Sequence, residues 1–341
     1  MGDISKQIDF TEDASKVIEK LKKKSVVVPS WDKLVFDYDP TKHHIVNDVL
    51  TLKDKKRSDG TYEKSARIHI GLEQLLSRRV AEFTFAIPVK RVYSNINDEK
   101  GKPNDTRQAI AKAMEAIYKN ARIDAVNLKR GLAFYASCEI FTMWYTVRKD
   151  NNLYGEPCEH KLKCKTYSPM YGDALYPLID EMGDMLAMSF EYKRTVEDRE
   201  VTYFETYTEN RHYIWMQNLD NGAWEQVLFE ENEEGEEISG TEIVIEKIPG
   251  VYAHRDAPVY YGLTNLREEI EYTLSRNSNV IAYNAAPVLK ISGGIKGNED
   301  KGESRRIVRV ENGGDVAYVS WQQAIEALKY HVDTMLKLYW M

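Results

Sequence analysis

Between residues 262 and 341 two helical patterns flank a short glycine-punctuated β segment. The first pattern reads GLTNLREEIEYTLSRNSNVIAYNAAP and keeps Leu266, Ile270, Leu274 and Ile281 at helical spacing. Asn265 and Glu268 read as a capping-box start and Pro287 as a stop. PVLKISGG, RRIVRV and DVAYVSW follow as short β-type runs, set off by Gly293, Gly294, Gly313 and Gly314. The second helix is expected to open with Ser320 and Gln323, and it carries Ile325, Leu328, Val332, Met335, Leu336 and Tyr339 at helical spacing. No Gly or Pro stops it before Met341, so a fragment of a longer chain is the expectation. The apolar stripes of these two helices have two readings: core packed on the same chain, or contacts with neighbouring subunits.

A chain of 341 residues has the length for two domains, or for one large domain with an appendage. Its 43% hydrophobic and 30% charged content places it among soluble globular proteins. No apolar run reaches the eighteen or so residues of a membrane span. MGDISKQIDF has no apolar h-region and so is no secretory signal, and Lys6 breaks the myristoylation pattern. Cys138, Cys158 and Cys164 are too few for a disulfide framework, which points to a reducing cytoplasm. A net charge of −7 argues against tight DNA binding, since that affinity comes largely from Lys and Arg neutralising phosphates. It suits a conduit through which DNA slides.

Along the chain, residues 1–40 read as an N-terminal arm with one amphipathic helix in DASKVIEKLKKK. The stretch from Tyr38 to Ser65 is polar, with KDKKRSDG as a solvated loop. A helix is expected over Ala66–Ala86, its apolar face formed by Ile68, Leu72, Leu75, Leu76, Val80 and Phe83, followed by a short strand in PVKRVYS. A second helical region spans Thr106 to Tyr135 with a break near Asn120–Asp124. EIFTMWYTV, HKLKCKTYS, MLAMSFEYKR, VTYFETYTEN, HYIWMQN, WEQVLFEE and TEIVIEKI then read as strands of a mostly antiparallel sheet, with Asn221-Gly222 as a turn. The expected class is α+β, with helices first, sheet second and the helix–β–helix appendage last.

Motifs for enzymatic chemistry are missing. There is no G-x-x-x-x-G-K-[ST] phosphate loop, no G-x-G-x-x-G after a strand, no H-E-x-x-H and no G-x-S-x-G. Cys158-x-His160-x₃-Cys164 approaches a zinc spacing, with His212 as the only imaginable fourth ligand; strand-embedded thiols and a surface imidazole are the better reading, and no metal or cofactor is expected. His43-His44 reads as solvated, and Glu231–Glu237 as a solvated hairpin tip rather than a calcium loop. His254 and Asp256 could stage acid–base chemistry in a hydrolase, but no nucleophile accompanies them. Arg305, Arg306 and Arg309 form a basic cluster that could contact DNA or an acidic partner, or could be an exposed strand of mixed charge beside Glu299, Asp300 and Glu303.

Four segments in series carry a resemblance. They are IHIGLEQLLSRRVAEFTFAIPV, KAMEAIYKNARIDAVNLKRGLAFYASCEIFTMWYTV, YSPMYGDALYPLIDEMGDMLAMSFEYKR and KIPGVYAHRDAPVYYGLTNLREEIEYTLSRNSNVIAYNAAPVLKISGG. Together they resemble the portal proteins of tailed double-stranded DNA bacteriophages, of siphophage type, over roughly residues 60–341.

The resemblance implies a structural subunit, not an enzyme, in a ring of usually twelve copies at one capsid vertex of the virion, made in the bacterial host cytoplasm. A wing domain would span 1–261, with the arm at 1–40, a helical part at 66–135 and a β-rich part at 138–250. The first stem helix would be 262–284, the clip 285–320, and a truncated second stem helix 321–341, with the family's crown missing. Leu266, Ile270, Leu274, Ile281, Ile325, Leu328, Val332 and Met335 would then face neighbouring subunits. Arg305, Arg306 and Arg309 would contact DNA or a partner from the clip. The implied partners are the terminase large subunit, which holds the ATPase, a head-completion or adaptor protein, the major capsid and scaffolding proteins, and DNA passing without sequence specificity. The competing reading is a monomeric β-rich binding module with an aromatic ligand face.

Overall fold

The computed structural model describes the chain apart from residues 1–3, 5–7, 24, 57–58, 95–96, 98–103, 232–236, 285–287, 293–294, 302–304, 311–314 and 320–324. Helices α1 (Ala14–Leu21) and α2 (Trp31–Tyr38) come first, then a small hairpin of β1 (Lys55–Lys56) and β2 (Tyr62–Glu63). Three helices follow: α3 (Leu72–Phe85), α4 (Asp105–Ala121) and α5 (Ile123–Ser137). The long strands are β3 (Glu139–Asn151), β4 (Cys158–Tyr167), β5 (Ala174–Ile179), β6 (Met185–Val196), β7 (Arg199–Thr208) and β8 (Arg211–Gln217). Short strands β9 (Trp224–Gln226), β10 (Phe229–Glu231), β11 (Glu237–Ser239), β12 (Thr241–Glu242) and β13 (Gly250–His254) complete this part. The chain then forms α6 (Thr264–Asn284), β14 (Val288–Ser292), β15 (Ile295–Lys301), β16 (Arg305–Val310), β17 (Asp315–Val319) and α7 (Ile325–Tyr339). The class is α+β, with every paired strand antiparallel among the described residues.

Contacts divide the chain into two units, Met1–Tyr38 with Glu73–Tyr261, and Asp39–Leu72 with Gly262–Met341. Among the described residues the first unit holds a sheet ordered β13-β3-β4, a sheet ordered β12-β8-β7-β6-β5 with β9 on β8, and the separate β10–β11 pair. The β6–β7 hairpin turns on two residues, Glu197 and Asp198, both at positive φ, the geometry that matches the right-handed strand twist. Aromatic side chains fill the core formed by both sheets: Phe141 and Tyr167 from one, Phe190, Tyr192 and Tyr207 from the other. Pro177 lies in β5, which can tolerate a missing N–H because it is the edge strand. Gly240, at φ +74, joins β11 to β12; a Cβ there would stand 2.6 Å from the His212 carbonyl oxygen, so only glycine fits.

Several expectations need correction. In the N-terminal region Val17, Ile18 and Leu21 of α1 pack on Ala187, Phe204, Tyr213 and Trp215, and Phe10 stacks on Tyr213 at 4.3 Å. Asp13 caps that helix through the Ser15 amide. The helix expected from Ala66 begins only at Leu72, and Phe83, placed on its apolar face, is exposed. PVKRVYS forms no strand, and of TEIVIEKI only Thr241–Glu242 does, because the chain turns at Glu246 with φ +48. Asn265 lies inside α6 rather than at its cap. The break expected near Asn120–Asp124 is borne out at Arg122, a left-handed residue between α4 and α5. By contacts, residues 39–72 group with the second unit.

Candidate functional site: a strapped helix and its β unit

Helix α6 organises the second unit. Arg267, Glu271, Ser275 and Asn279 recur every fourth residue and so share one face. The first three are buried. A buried polar stripe needs partners, and an extended segment between β2 and α3 supplies them. The amides of Ala66, Ile68 and Ile70 donate in turn to Asn279 Oδ1, Ser275 Oγ and Glu271 Oε1, each at 2.8 Å. Two strand residues advance about 6.6 Å and four helix residues about 6.0 Å, so the two periods nearly match over three bonds. Arg267 comes next on this face, but its guanidinium only donates and so cannot accept from a strap amide, and the chain leaves the extended form at Leu72.

The end of this strap is pinned by charge. Glu271 Oε1 lies 2.7 Å from His43 Nδ1, and its Oε2 accepts from Arg267 Nη1 at 3.1 Å. A carboxylate only accepts, so His43 Nδ1 carries the proton. Burial would raise the Glu271 carboxyl; the His43 hydrogen bond, the Ile70 amide and the charges of His43 and Arg267 outweigh it and hold Glu271 below its ordinary range. His43, expected to be solvated, is thus buried and engaged, because Glu271 needs a donor there. Tyr272, the next residue of α6, donates to Asp48 Oδ2, while Asp48 Oδ1 accepts from the Leu50 and Thr51 amides. Arg67 closes the loop of the strap through the Leu52 carbonyl at 2.8 Å and Asp54 Oδ1 at 2.9 Å.

The expected interface residues divide by burial. Ile270 is 0% exposed and Met335 is also buried. Leu266, Leu274, Leu328 and Val332 are half-buried, and Ile281 is 56% exposed, so these retain surface for contact. Ile325 opens α7. Helices α6 and α7 pack on each other. Between them β14 pairs with β17, and β15 with β16 nests inside that pair. Arg305, Arg306 and Arg309 all lie on β16, opposite Lys301, Asp300 and Gly297. The Ser320/Gln323 helix start lies outside the described residues.

Cys158 and Cys164 are six residues apart on β4, roughly 20 Å along an extended strand, too far to share a zinc ion. His212 is taken by Glu205, with Nε2 2.8 Å from Oε1. No group of metal-ligating side chains forms among the described residues. His254 lies on β13 and stacks on Tyr252. Glu231 and Glu237 face each other across the β10–β11 pair, a hairpin arrangement as expected, while residues 232–236 fall outside the described residues. The strap itself escaped sequence reading. Its signal was the polar repeat R-x₃-E-x₃-S-x₃-N within a helix that otherwise reads as amphipathic.

Among the described residues, no helix is long and apolar enough to cross a membrane. No curated protein matches the chain significantly. The family profile described as phage portal protein, SPP1 Gp6-like, matches residues 34–339 and so takes in most of both units. The chain therefore belongs to that family and is a siphophage-type portal protein.

Proposed function

We propose that this portal chain is a structural subunit of a ring-shaped channel, usually of twelve copies, at the capsid vertex through which DNA is packaged and later ejected. The observation that carries the reading is the family match over residues 34–339. In this reading residues 1–261 supply the wing, 262–284 and 321–341 the stem, and 285–320 the clip, with the segment 39–72 strapped to the stem. The clip receives the terminase large subunit during loading and a head-completion or adaptor protein afterwards; capsid and scaffolding proteins surround the ring. Its role is structural, and ATP hydrolysis belongs to the terminase. A formal charge of −7 supports passage of DNA without tight retention. Arg305, Arg306 and Arg309 are proposed clip contacts to DNA or to an acidic partner.

The first test is the solution mass by light scattering, with negative-stain images of the same sample. A particle near twelve times 39.5 kDa with a central hole is expected. A folded monomer would overturn the ring and favour a binding module. Within the ring, the half-buried stem residues Leu274 and Leu328 are proposed to complete their burial against neighbouring subunits. Leu274→Asp or Leu328→Asp is therefore expected to lower the assembled fraction at least tenfold while far-UV circular dichroism of the first unit's sheets persists. Normal ring yield from both variants would remove these residues from the interface.

A further inference from the structure

Two exposed apolar patches of opposite charge sit on different elements of the first unit. One follows α3. Phe83, Ile87 and Val92 are 90%, 85% and 81% exposed, and Val89 is exposed beside them. Four large apolar side chains facing water within ten residues are unusual for a soluble surface. The segment is nevertheless held in place. Thr84 Oγ1 meets the Tyr135 hydroxyl at 3.1 Å, the Arg91 guanidinium covers the Tyr118 ring at 4.5 Å, and Tyr93 donates to Glu115 at 2.9 Å. Anchored residues thus alternate with outward apolar ones. Arg78 and Arg79, which share Glu82 as an ion-pair partner, and Lys90 add an exposed rim that is basic on balance.

The other patch lies beyond the β8 edge, around β10–β12 and the turn that follows. Val244 is 90% exposed at the turn, with Ile245 and Phe229 exposed near it. Its rim is acidic: Glu231, Glu237, Glu242 and Glu246 are all exposed. Glu231 stands directly opposite Glu237 across the strand pair. Like charges so placed repel, and a cationic surface laid against them relieves the repulsion.

We infer that the basic apolar patch of one subunit docks on the acidic apolar patch of the next, a head-to-tail contact between copies of this chain. Two unlike patches that complement each other in charge and apolarity are what a heterologous ring contact requires; a two-fold contact would need one self-complementary patch. The inference rests on the ring reading and adds a second contact, outside α6 and α7.

The test uses chains in which Cys158 and Cys164 are replaced by Ser, one carrying Ile87→Cys and the other Val244→Cys, co-expressed and treated with a short bismaleimide. A cross-linked band at twice the chain mass is expected in the co-expressed sample and in neither variant alone. Rings that form but yield no such band would overturn this contact and leave the ring reading standing. A band from Ile87→Cys alone would also overturn it, because like patches would then meet. Absence of any assembly before cross-linking would bring down the ring reading and this contact with it.

Discussion

Glu271→Ala is expected to cost about 3–5 kcal/mol of the second unit's stability, the range for removing one partner of a buried ion pair. The carboxylate is fully buried and serves three donors at once: His43 Nδ1, the Ile70 amide and Arg267 Nη1. Without it the Arg267 guanidinium keeps its burial and loses its shorter carboxylate contact, leaving Glu268 Oε1 at 3.9 Å. Hydrogen exchange is the discriminating measurement. A loss of about 3 kcal/mol in local opening speeds exchange roughly 100-fold at Ile70, and at Ile68 and Ala66 if the strap releases as one piece. Glu271→Gln retains an acceptor for Ile70 and should preserve part of that protection. Unchanged exchange at all three amides in the alanine variant would show that the strap does not depend on this carboxylate.

Phe190→Ala is the second large effect, again about 3–5 kcal/mol, and it falls on the first unit. Phe190 is fully buried, with ring centroids of Tyr167, Phe141, Tyr192 and Tyr207 at 4.2, 5.8, 5.9 and 6.1 Å. Truncation opens a cavity in the core between the two sheets and removes several aromatic contacts together. Denaturant unfolding followed by tryptophan fluorescence reports it, because Trp31, Trp144, Trp215 and Trp224 all lie in this unit. A midpoint within error of the unsubstituted chain would mean that the cluster collapses around the gap.

Acid should weaken the fold through the same kind of buried carboxylate. Burial would raise Glu205, yet the hydrogen bond and charge of His212, with the Tyr207 and Tyr192 hydroxyls, leave it below its ordinary value of 4.5. Glu271 is lowered in the same sense. A carboxyl depressed on folding stabilises above its unfolded pKa, and that contribution disappears as pH falls through the folded value. The unfolding midpoint is therefore expected to drop below about pH 4.5, and Glu205→Gln, which cannot titrate, should show a shallower drop. Parallel acid limbs would remove Glu205 as a source.

The local elements were largely legible. Period-two alternation located β3, β4, β6, β7 and β8, helical spacing located α1, α4 and α5, and the order helix–β–helix after residue 262 was plain before any contact was known. These features depend on short-range propensity and on which side of an element is apolar, both written within a few residues. ARIHI misled for the same reason. Its apolar spacing fits a helix, but the amides of Ala66, Ile68 and Ile70 are claimed by side chains more than 200 residues later, on α6. No local pattern encodes so distant a partner. The same holds for His43, whose burial follows from Glu271, and for the docking of α1 on β6–β8. Periodicity identified helices with a face to bury; which face meets its own chain, and which stays open to a neighbour, depended on long-range packing and on the pairing of buried polar groups.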